Sequence, residues 1–314
     1  MTFFRMTQRH LQRLTGSRLL AILLGLLLAI SSLNAAEPKL EVAIEKIANK
    51  PKVPGQFMLR QRNRTEASKG SGEWKEQSKE AVWNASETAI IICDMWDDHY
   101  CKLAAERVAE MAPRMNAVLT AARNHGATVI HAPSGVTYLY ADMPQRKRMQ
   151  QAQKAKPELP LEAWCYVDPK REPELPVDVS KQPCDDPVIG AYVQKFTRQH
   201  PGLTISGWDG VSDNGEEIYS YLKQEGLKNL VLMGVHTNMC VLGRPFGIRQ
   251  MVKQGFNVVL VRDLTDAMYD PREKPYVSHT RGTELVVEHI EKYWCPSILG
   301  EDLTRVARGS ADPK

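Results

Sequence analysis

Residues 230–262 constrain the fold of this chain more than any other stretch. They begin with an apolar run at 230–235 and end with a second apolar run at 258–261. Between these runs, residues 241–254 have helical spacing and are followed by Gly255, a residue typical of helix ends. Strand, helix and strand in this order form the unit from which parallel sheets are built. The stretch therefore predicts an α/β protein.

Three further apolar runs bring the number of predicted strands to five. They occupy residues 88–93, 127–131 and 203–206. Helical patterns separate the runs at residues 104–124, 145–156, 213–224 and 277–293. Pro113 predicts a kink or a break in the first of these helices. Alternating strands and helices predict a three-layer α/β/α fold with a central, mainly parallel sheet, the Rossmann-like arrangement.

The N-terminus has the three-part layout of a secretory signal peptide. Four arginines precede an apolar run at residues 19–30, and small and polar residues follow at 31–36. The run is shorter than the roughly 20 apolar residues that span a membrane, which favours export over a permanent anchor. We therefore predict a signal peptide at residues 1–36, cleaved after Ala35 or Ala36. The mature protein is then periplasmic or secreted, with no membrane association, and an uncleaved anchor is the alternative.

The rest of the chain divides into one large domain and shorter flanking segments. Residues 37–85 are polar and are predicted to form an N-terminal extension that wraps the domain or is partly disordered. Residues 86–304 carry the strands and helices, with a long insertion at 134–201 that contains a charged run and a proline-rich segment. A connection of this length is usually functional, for example as a lid. Residues 305–314 form a C-terminal tail.

Composition argues for a globular protein that does not bind nucleic acid. Of the 314 residues, 43% are apolar and 25% are charged, a balance typical of globular domains. The net charge of +4 is small, and there is no basic stripe interleaved with aromatic residues. The chain has six cysteines, which can pair in an oxidising compartment. Cys165 and Cys184 flank the proline-rich stretch and are candidates for a loop-closing disulfide.

Two residues with reactive side chains follow predicted strands. Asp94 comes directly after the strand at 88–93, and Cys240 lies where the turn after 230–235 becomes a helix. The carboxyl ends of parallel strands meet at one edge of a sheet, so these side chains can meet there. A helix N-terminus lowers the pKa of a thiol, and a neighbouring acid can take its proton. The alternatives are a buried apolar role for Cys240 and a helix N-cap or loop role for Asp94.

These residues resemble the isochorismatase-like cysteine hydrolases, a family that includes nicotinamidases. The resemblance covers residues 86–302, and its most specific part is the sequence GVHTNMCV at 234–241. It implies a three-layer α/β/α fold in which Cys240 attacks an amide or related carbonyl, an acyl-enzyme forms and water releases the product. It also implies that Asp94 is the general base or acid. The peptide bond before His236 is implied to be cis, with the backbone N–H groups of His236 and Cys240 forming the oxyanion hole.

One departure from the family concerns its third catalytic residue. The family carries a lysine just after the strand that precedes the nucleophile strand, and here that place, residues 203–210, contains none. Lys195, from the preceding segment, is one candidate for the role. The alternatives are another cation, the polar residues near Trp208, or a site that has lost hydrolysis and only binds its ligand.

No cofactor and no metal ion are predicted. Nicotinamidase-like members of the family hold a metal with an Asp-x-His pair after the second strand and a further histidine. The corresponding residues around His131 lack the acid and the spacing. A metal site formed by His131 with Asp98 or His99 is the alternative.

Three residues near the predicted strand ends are candidates for binding a substrate. Trp96 and Trp208 can line a pocket, although aromatic residues near strand ends often belong to the core. Arg244, on the helix after Cys240, can bind a substrate carboxylate through two hydrogen bonds.

Two functions agree with these observations. The first is an exported cysteine hydrolase that cleaves a C–N bond of a small molecule through a covalent acyl-enzyme on Cys240. The second is a small-molecule-binding protein of the same fold that has lost catalysis. The insertion at 134–201 and the loop at 263–275 are expected to shape the pocket, so the sequence leaves the substrate open. Homo-oligomers are frequent in the family, and a homo-oligomer is expected from the resemblance alone.

Overall fold

The computed structural model of the protein describes residues 54–180 and 183–307. The predicted signal peptide and the end of the C-terminal tail lie outside the described residues. Within them, no helix combines the length and the apolar character that crossing a membrane requires.

An eight-stranded sheet forms the centre of the fold. Its strands are β1 (Gln56–Glu66), β2 (Trp74–Asn84), β3 (Thr88–Cys93), β4 (Thr128–Ala132), β5 (Gly210–Val211), β6 (Asn229–Val235), β7 (Asn257–Asp266) and β8 (Ser297–Ile298). They lie in the order β2-β1-β8-β7-β6-β3-β4-β5. The six strands from β8 to β5 are parallel, and only β1 and β2 run antiparallel to their neighbours. The sheet is therefore mainly parallel, as predicted.

Helices cover both faces of this sheet. They are α1 (Lys102–Asn124), α2 (Pro144–Gln150), α3 (Gly215–Gln224), α4 (Cys240–Gly243), α5 (Ile248–Lys253) and α6 (His279–Tyr293). Short 3-10 helices occupy Ala85–Glu87, Thr137–Tyr140 and Gly300–Leu303.

Neighbouring side chains of the central strands enter two separate cores. Ile91 of β3 and Leu232 of β6 pack with the buried faces of α3, α5 and α6. Ile90 and Ile92, which point the other way, pack with the buried face of α1. Both faces of a parallel sheet are covered in this way, which explains why its strands are apolar throughout. The predicted three-layer α/β/α fold is confirmed.

The strand predicted at residues 203–206 is not formed there, and β5 occupies Gly210–Val211 instead. Residues 203–206 are not a strand, although Leu203 and Ile205 are buried. The N–H of Thr204 donates to the Asn116 side chain at 2.9 Å, and its carbonyl accepts from Arg123 at 2.8 Å. Because helix side chains take these backbone bonds, no strand partner is needed, and β5 forms later in the chain.

Three predicted helices also differ from those observed. Helix α1 continues through Pro113 as a single helix, because an apolar face along its whole length is buried. The helix predicted at 145–156 ends early, at Gln150. The helix predicted at 241–254 is divided into α4 and α5, because Pro245 disfavours the helical conformation of Arg244.

Two segments of the predicted N-terminal extension are strands of the sheet. Strands β1 and β2 form a hairpin, and Phe57 and Leu59 of β1 are fully buried in the core beside α1. Arg62 and Arg64 donate to the fully buried carboxylate of Glu291 at 2.8 and 3.1 Å. The alternative of disorder is therefore wrong for these two strands, which are an ordered part of the sheet.

The insertion at 134–201 is mostly irregular and is fastened to the sheet domain by buried polar contacts. Glu172 accepts two hydrogen bonds from Arg249, at 2.7 and 3.1 Å, and a third from His289 at 2.7 Å. The Glu172 side chain is fully buried, so these partners compensate a carboxylate that is shielded from water. The N–H of Cys165 donates to the carbonyl of Gly243, at the end of α4.

Candidate active site

Cys240 opens helix α4, directly after the turn that ends β6. The peptide bond between Val235 and His236 is cis, as the resemblance implies. The His236 carbonyl accepts from the N–H groups of Met239 and Val241, at 3.0 and 3.2 Å. These bonds close the turn around Cys240, which is 8% exposed. The thiol is therefore held at a fixed place in the edge of the sheet.

The same turn is attached to the end of β7. The Thr237 N–H donates to the Asp266 carbonyl at 2.9 Å. The Asn238 side chain donates to the carbonyl of Met268 and accepts from its N–H, both at 2.9 Å. Paired donor and acceptor contacts of this kind fix the turn in one orientation. They explain what the polar residues between β6 and α4 do.

Asp94 lies beside this turn because strands β3 and β6 approach each other closely. A Cβ atom on Gly234 would lie 2.1 Å from the carbonyl oxygen of Cys93, and the φ of Gly234 is +104°. Only glycine allows both the approach and the conformation. Asp94 itself is fully buried and has φ 47°, a region in which aspartate is enriched.

The carboxylate of Asp94 pairs with Arg244. Its Oδ2 accepts from Nε and Nη2 of Arg244, at 3.1 and 3.0 Å, and its Oδ1 accepts from the Ser134 N–H at 2.8 Å. Lys195 is exposed and lies outside the residues that line the cavity described below. The cation next to Asp94 is thus Arg244, and the prediction of Lys195 for this place is wrong.

A break in the helix after Cys240 turns Arg244 towards Asp94. Arg244 ends α4 in an extended conformation, with φ −62° and ψ 156°. It precedes Pro245, and a proline disfavours the helical conformation of the residue before it. Arg244 was predicted to bind a substrate carboxylate, but its two-point contact is made to a carboxylate of the protein itself.

Burial raises the pKa of the Cys240 thiol well above its usual range, and the nearby Asp94 carboxylate raises this pKa further. Arg244 and the backbone N–H of His236 act in the opposite direction and lower it. The helix-terminus argument predicts a lowered thiol pKa, and for the free protein this prediction is wrong. Helix α4 has only four residues, so its dipole is weak beside the desolvation and the Asp94 charge. The resting thiol is therefore protonated.

Two backbone N–H groups lie in the turn around Cys240. The N–H of His236 lies near the sulfur of Cys240, close enough to lower its pKa. The N–H of Cys240 belongs to the first turn of α4, where N–H groups have no acceptor within the helix. The expected oxyanion hole at His236 and Cys240 stays a prediction, with this arrangement in its favour.

A cavity of about 720 Å³ opens above Cys240. Most of its wall comes from the insertion and the loop after β3. Its lining consists of Trp96, His99, Tyr100, Ser134, Gly135, Trp164, Val179, Pro183, Tyr192, Val193, Gln194, Phe196, Asp213, His236, Met239, Cys240, Arg244 and Met268. A volume of this size fits a small molecule.

The two tryptophans predicted to bind the substrate lie in different places. Trp96 lines the cavity, donates from Nε1 to the Ser134 carbonyl at 3.1 Å and stacks on Phe196 with ring centroids 4.2 Å apart. Trp208 does not line the cavity, is 47% exposed and lies beneath the guanidinium of Arg148, 5.2 Å from its ring centre. The prediction for Trp208 is therefore wrong. Arg148 also donates to the carbonyls of Gly207 and Asp209, which fastens the turn that carries Trp208 outside the cavity.

His131 is occupied by a buried polar network. Its Nε2 lies 3.0 Å from Asp209 and its Nδ1 2.9 Å from Gln199, and Asp209 also pairs with Arg123. These contacts leave His131 without a free nitrogen for a site shared with Asp98 or His99.

Among the described residues, one group has the spacing of metal ligands, and it comprises Cys101, Cys184 and Asp186. Cys101 and Cys184 form a disulfide, which uses both sulfurs. The prediction that Cys184 pairs with Cys165 is wrong, since Cys165 is a free, buried cysteine beside Gln250. The disulfide fastens the insertion to the start of α1.

The sequence interpretation missed several residues that face the cavity. Trp164 and Asp213 line it and were not candidates, and His99, which also lines it, was considered only as a metal ligand. The role of Arg244 had a signal in the sequence, because the following Pro245 predicts that the helix stops at that arginine. The other residues come from irregular segments, for which the sequence has no periodic pattern.

Comparison with known proteins identifies the domain. Residues 88–281 match the isochorismatase domain, which is more than half of the chain. None of the curated proteins compared with the chain matches it.

Several solved structures resemble the protein at low identity. A cysteine hydrolase from Pseudomonas syringae pv. phaseolicola 1448A is 15% identical over 71% of this chain and 92% of its own, with a TM-score of 0.43. Nicotinamidase PncA from Bacillus subtilis is 13% identical over 65% and 94%, with a TM-score of 0.34. N-carbamoylsarcosine amidase from Thermoplasma acidophilum is 15% identical over 68% and 97%, with a TM-score of 0.31. The assignment rests on the matched domain rather than on these similarities. The protein belongs to the isochorismatase family.

Proposed function

We propose that the protein is a cysteine hydrolase that cleaves a C–N bond of a small amide. The observation that carries the proposal is the contact of Asp94 with Arg244 beside the buried thiol of Cys240, at the floor of a cavity. Neutral residues would suffice for a core, whereas this arrangement places an acid that is paired with an arginine next to a buried thiol.

The proposed reaction begins with transfer of the Cys240 proton to Asp94. The sulfur forms a bond to the amide carbon, and the N–H groups of His236 and Cys240 stabilise the negative oxygen. Asp94 then gives its proton to the nitrogen, the C–N bond breaks and the amine leaves. Water, losing a proton to Asp94, attacks the thioester, and the acid is released as the proton returns to the sulfur.

Arg244 has an electrostatic role in this scheme. The Asp94 carboxylate raises the pKa of Arg244, although burial alone would lower it. An arginine does not lose its proton in proteins, so Arg244 cannot relay protons as a lysine can. It holds Asp94 in position and stabilises its ionised form in a buried place.

The test is ammonia release from a panel of small amides by the mature protein and the variants Cys240→Ala and Asp94→Asn. We expect Cys240→Ala to abolish turnover and Asp94→Asn to lower kcat by about 10²–10⁴-fold. Rapid quenching should trap an acyl group whose mass maps to the Cys240 peptide. Turnover that survives in Cys240→Ala would exclude the mechanism.

The alternative is a binding protein of the same fold without catalysis. It is favoured by the arginine, which lacks the proton exchange that a lysine offers. In that case the amides should bind and protect the Cys240 thiol from iodoacetamide, but no acyl group should form on it.

We also propose that the protein is exported. The residue pattern of the N-terminus carries this proposal, and the Cys101–Cys184 disulfide supports it because disulfides persist in oxidising compartments. N-terminal sequencing of the mature protein should begin at Ala36 or Glu37. A chain that keeps Met1 in a membrane fraction would exclude cleavage.

A further inference from the structure

The charges around the catalytic cavity do not cancel. Of the described residues that line it, Arg244 is a permanent cation and Asp213 is an acid. Arg244 is already paired with Asp94, whereas Asp213 has no ion-pair partner among the described residues. One negative charge is therefore left facing the cavity.

The two histidines in the wall do not compensate this charge. Burial lowers the pKa of His99 to about 4, despite the neighbouring acids. Burial also lowers the pKa of His236 to about 3, and the nearby His99 lowers it further. Both rings are neutral at neutral pH, so they can form hydrogen bonds with a ligand but cannot attract an anion.

Asp213 and Asp94 both accept hydrogen bonds from the same loop, which contains Ser134 and Gly135. The Asp213 carboxylate accepts from the Gly135 N–H and from the Thr137 hydroxyl, both at 2.9 Å. The preceding N–H, that of Ser134, donates to Asp94 at 2.8 Å. Cα atoms of consecutive residues are about 3.8 Å apart, so the two carboxylates bind neighbouring positions of one backbone. Asp213 thus faces the same small space as the thiol.

Two buried polar atoms in the same wall have no hydrogen-bond partner among the described residues. They are Nε2 of His236 and Oγ of Ser134, in residues that are 4% and 5% exposed. Buried polar atoms are nearly always paired, and the residues that carry these two line the cavity. This part of the wall therefore retains unused hydrogen-bonding capacity.

Aromatic side chains form much of the remaining wall. Trp96 stacks on Phe196 with an interplanar angle of 11°, and Trp164 and Tyr192 also line the cavity. Faces of aromatic rings attract cations, and aromatic walls are a typical site for quaternary ammonium ligands. The guanidinium of Arg244 already lies over the ring of Trp164, 5.6 Å from its centre.

We propose that the cavity selects a small amide carrying a positively charged group away from the scissile bond, and that Asp213 is the residue that recognises this charge. The proposal rests on the proposed hydrolase function for its substrate. The charge preference of the cavity itself can be measured without turnover.

The first experiment measures modification of Cys240 in the mature protein by two methanethiosulfonates. One carries a trimethylammonioethyl group and the other a sulfonatoethyl group. In each case the Cys240 sulfur displaces methanesulfinate and forms a mixed disulfide. Peptide mass mapping identifies the site, Cys240→Ala supplies the background, and rates are divided by those measured with 2-mercaptoethanol. The other free cysteines of the described residues, Cys93, Cys165 and Cys295, are also buried and, unlike Cys240, do not line the cavity.

We expect the normalised rate to be at least about tenfold higher for the cation than for the anion. Asp213→Asn should lower this ratio at least about fivefold, and Asp213→Glu, which keeps the charge, should retain most of it. Asp142→Asn is the matched control, since Asp142 is exposed and does not line the cavity. A wild-type ratio of one or less, or equal ratios in Asp213→Asn and Asp142→Asn, would overturn the proposal.

The second experiment compares hydrolysis of 4-(aminomethyl)benzamide, benzamide and 4-carboxybenzamide. The expected order of kcat/KM is cationic, neutral, anionic, with the preference reduced in Asp213→Asn. Fastest turnover of the anionic amide would overturn the proposal. If no amide is hydrolysed while the thiol ratios behave as expected, the hydrolase function fails and the charge selectivity stands.

Discussion

Arg244 is the cation that contacts Asp94, where the family resemblance leads to the expectation of a lysine. The family lysine is expected before the nucleophile strand, whereas Arg244 reaches Asp94 from the turn after Cys240. Two hydrogen bonds to one carboxylate oxygen hold the acid more firmly than a single ammonium would. The residue therefore supports positioning and charge stabilisation but no proton relay.

Two substitutions of Arg244 should show how much of its effect on kcat comes from its charge and how much from its two hydrogen bonds. Arg244→Met removes the cation that balances and positions the buried Asp94 carboxylate, so Asp94 can no longer serve efficiently as the acceptor of the Cys240 proton, and we expect kcat to fall by about 10²-fold or more. Arg244→Lys keeps the charge and should lower kcat by only about tenfold. Steady-state kinetics with any accepted amide measures both.

The control is Arg281→Lys, on the exposed face of α6. A kcat for Arg244→Met equal to that of the control would show that Asp94 does not need the cation.

His279 is a second residue whose charge depends on its setting. It lies 2.9 Å from Asp266 and 3.3 Å from Asp185, so it joins the insertion to the end of β7. Burial alone would lower its pKa, but the two carboxylates raise it from 6.5 to about 9.

The stability contributed by His279 should depend on pH. Its pKa in the folded state is above that in the unfolded state, so the contribution is complete below pH 6.5 and disappears as the pH rises through 9. His279→Gln should therefore lower the free energy of unfolding by up to about 3 kcal/mol at pH 6, but by much less at pH 9.5. Urea unfolding of both proteins at the two pH values measures this. Equal losses at both would mean that the charge contributes nothing.

Strands β3 and β6 form the frame of the site because their ends approach each other without side chains between them. The two strands pair along the whole of β3, from Thr88 opposite Asn229 to Cys93 opposite Gly234. Gly234, at the end of this ladder, faces the backbone of Cys93. The contact between the two strands thus decides how far Asp94 lies from the turn that carries Cys240.

Gly234→Ala should be far more damaging than a similar change elsewhere. The new methyl group would overlap the Cys93 carbonyl, so we expect a loss of at least about 3 kcal/mol or no soluble protein. Gly226→Ala is the matched control, because its φ is also positive, +66°, but nothing lies within 4 Å of the new Cβ. It should cost only the conformational term of roughly 1–2 kcal/mol. Thermal unfolding of both variants tests this, and equal losses would contradict it.

The N-terminal hairpin makes the sheet larger than the matched domain. Strand β1 binds β8 and contributes Phe57 and Leu59 to the core. Its arginines, Arg62 and Arg64, are ion-pair partners of the buried Glu291 of α6. The hairpin is thus a structural part of the sheet domain.

Removal of the hairpin should prevent stable folding. Burial of Phe57 and Leu59 contributes about 1.5–3 kcal/mol each, and an unpaired Glu291 would cost about 3–5 kcal/mol more. Together these losses are comparable to the whole stability of a typical domain. A chain that starts at residue 86 should be insoluble or unfolded, whereas one that starts at residue 54 should fold. Cooperative urea unfolding of the shorter chain would contradict this.

The sequence by itself determined the parts of the protein that depend on local pattern. Apolar runs at β3, β4, β6 and β7 predicted the parallel sheet, because strands covered on both faces must be apolar throughout. The positions of Asp94 and Cys240 at strand ends predicted that they lie at one edge, because parallel strands share a direction. The residues 234–241 carried the family resemblance, which the matched domain confirms.

Only the tertiary structure decided which groups from distant segments meet. The pairing of Arg244 with Asp94, the disulfide partner of Cys184 and the position of Asp213 in the cavity wall involve residues up to 150 positions apart. No local pattern encodes such contacts, because they depend on how irregular segments cross the sheet edge. The same holds for the Cys240 pKa, since burial and a neighbouring carboxylate outweigh the short helix that the sequence places there.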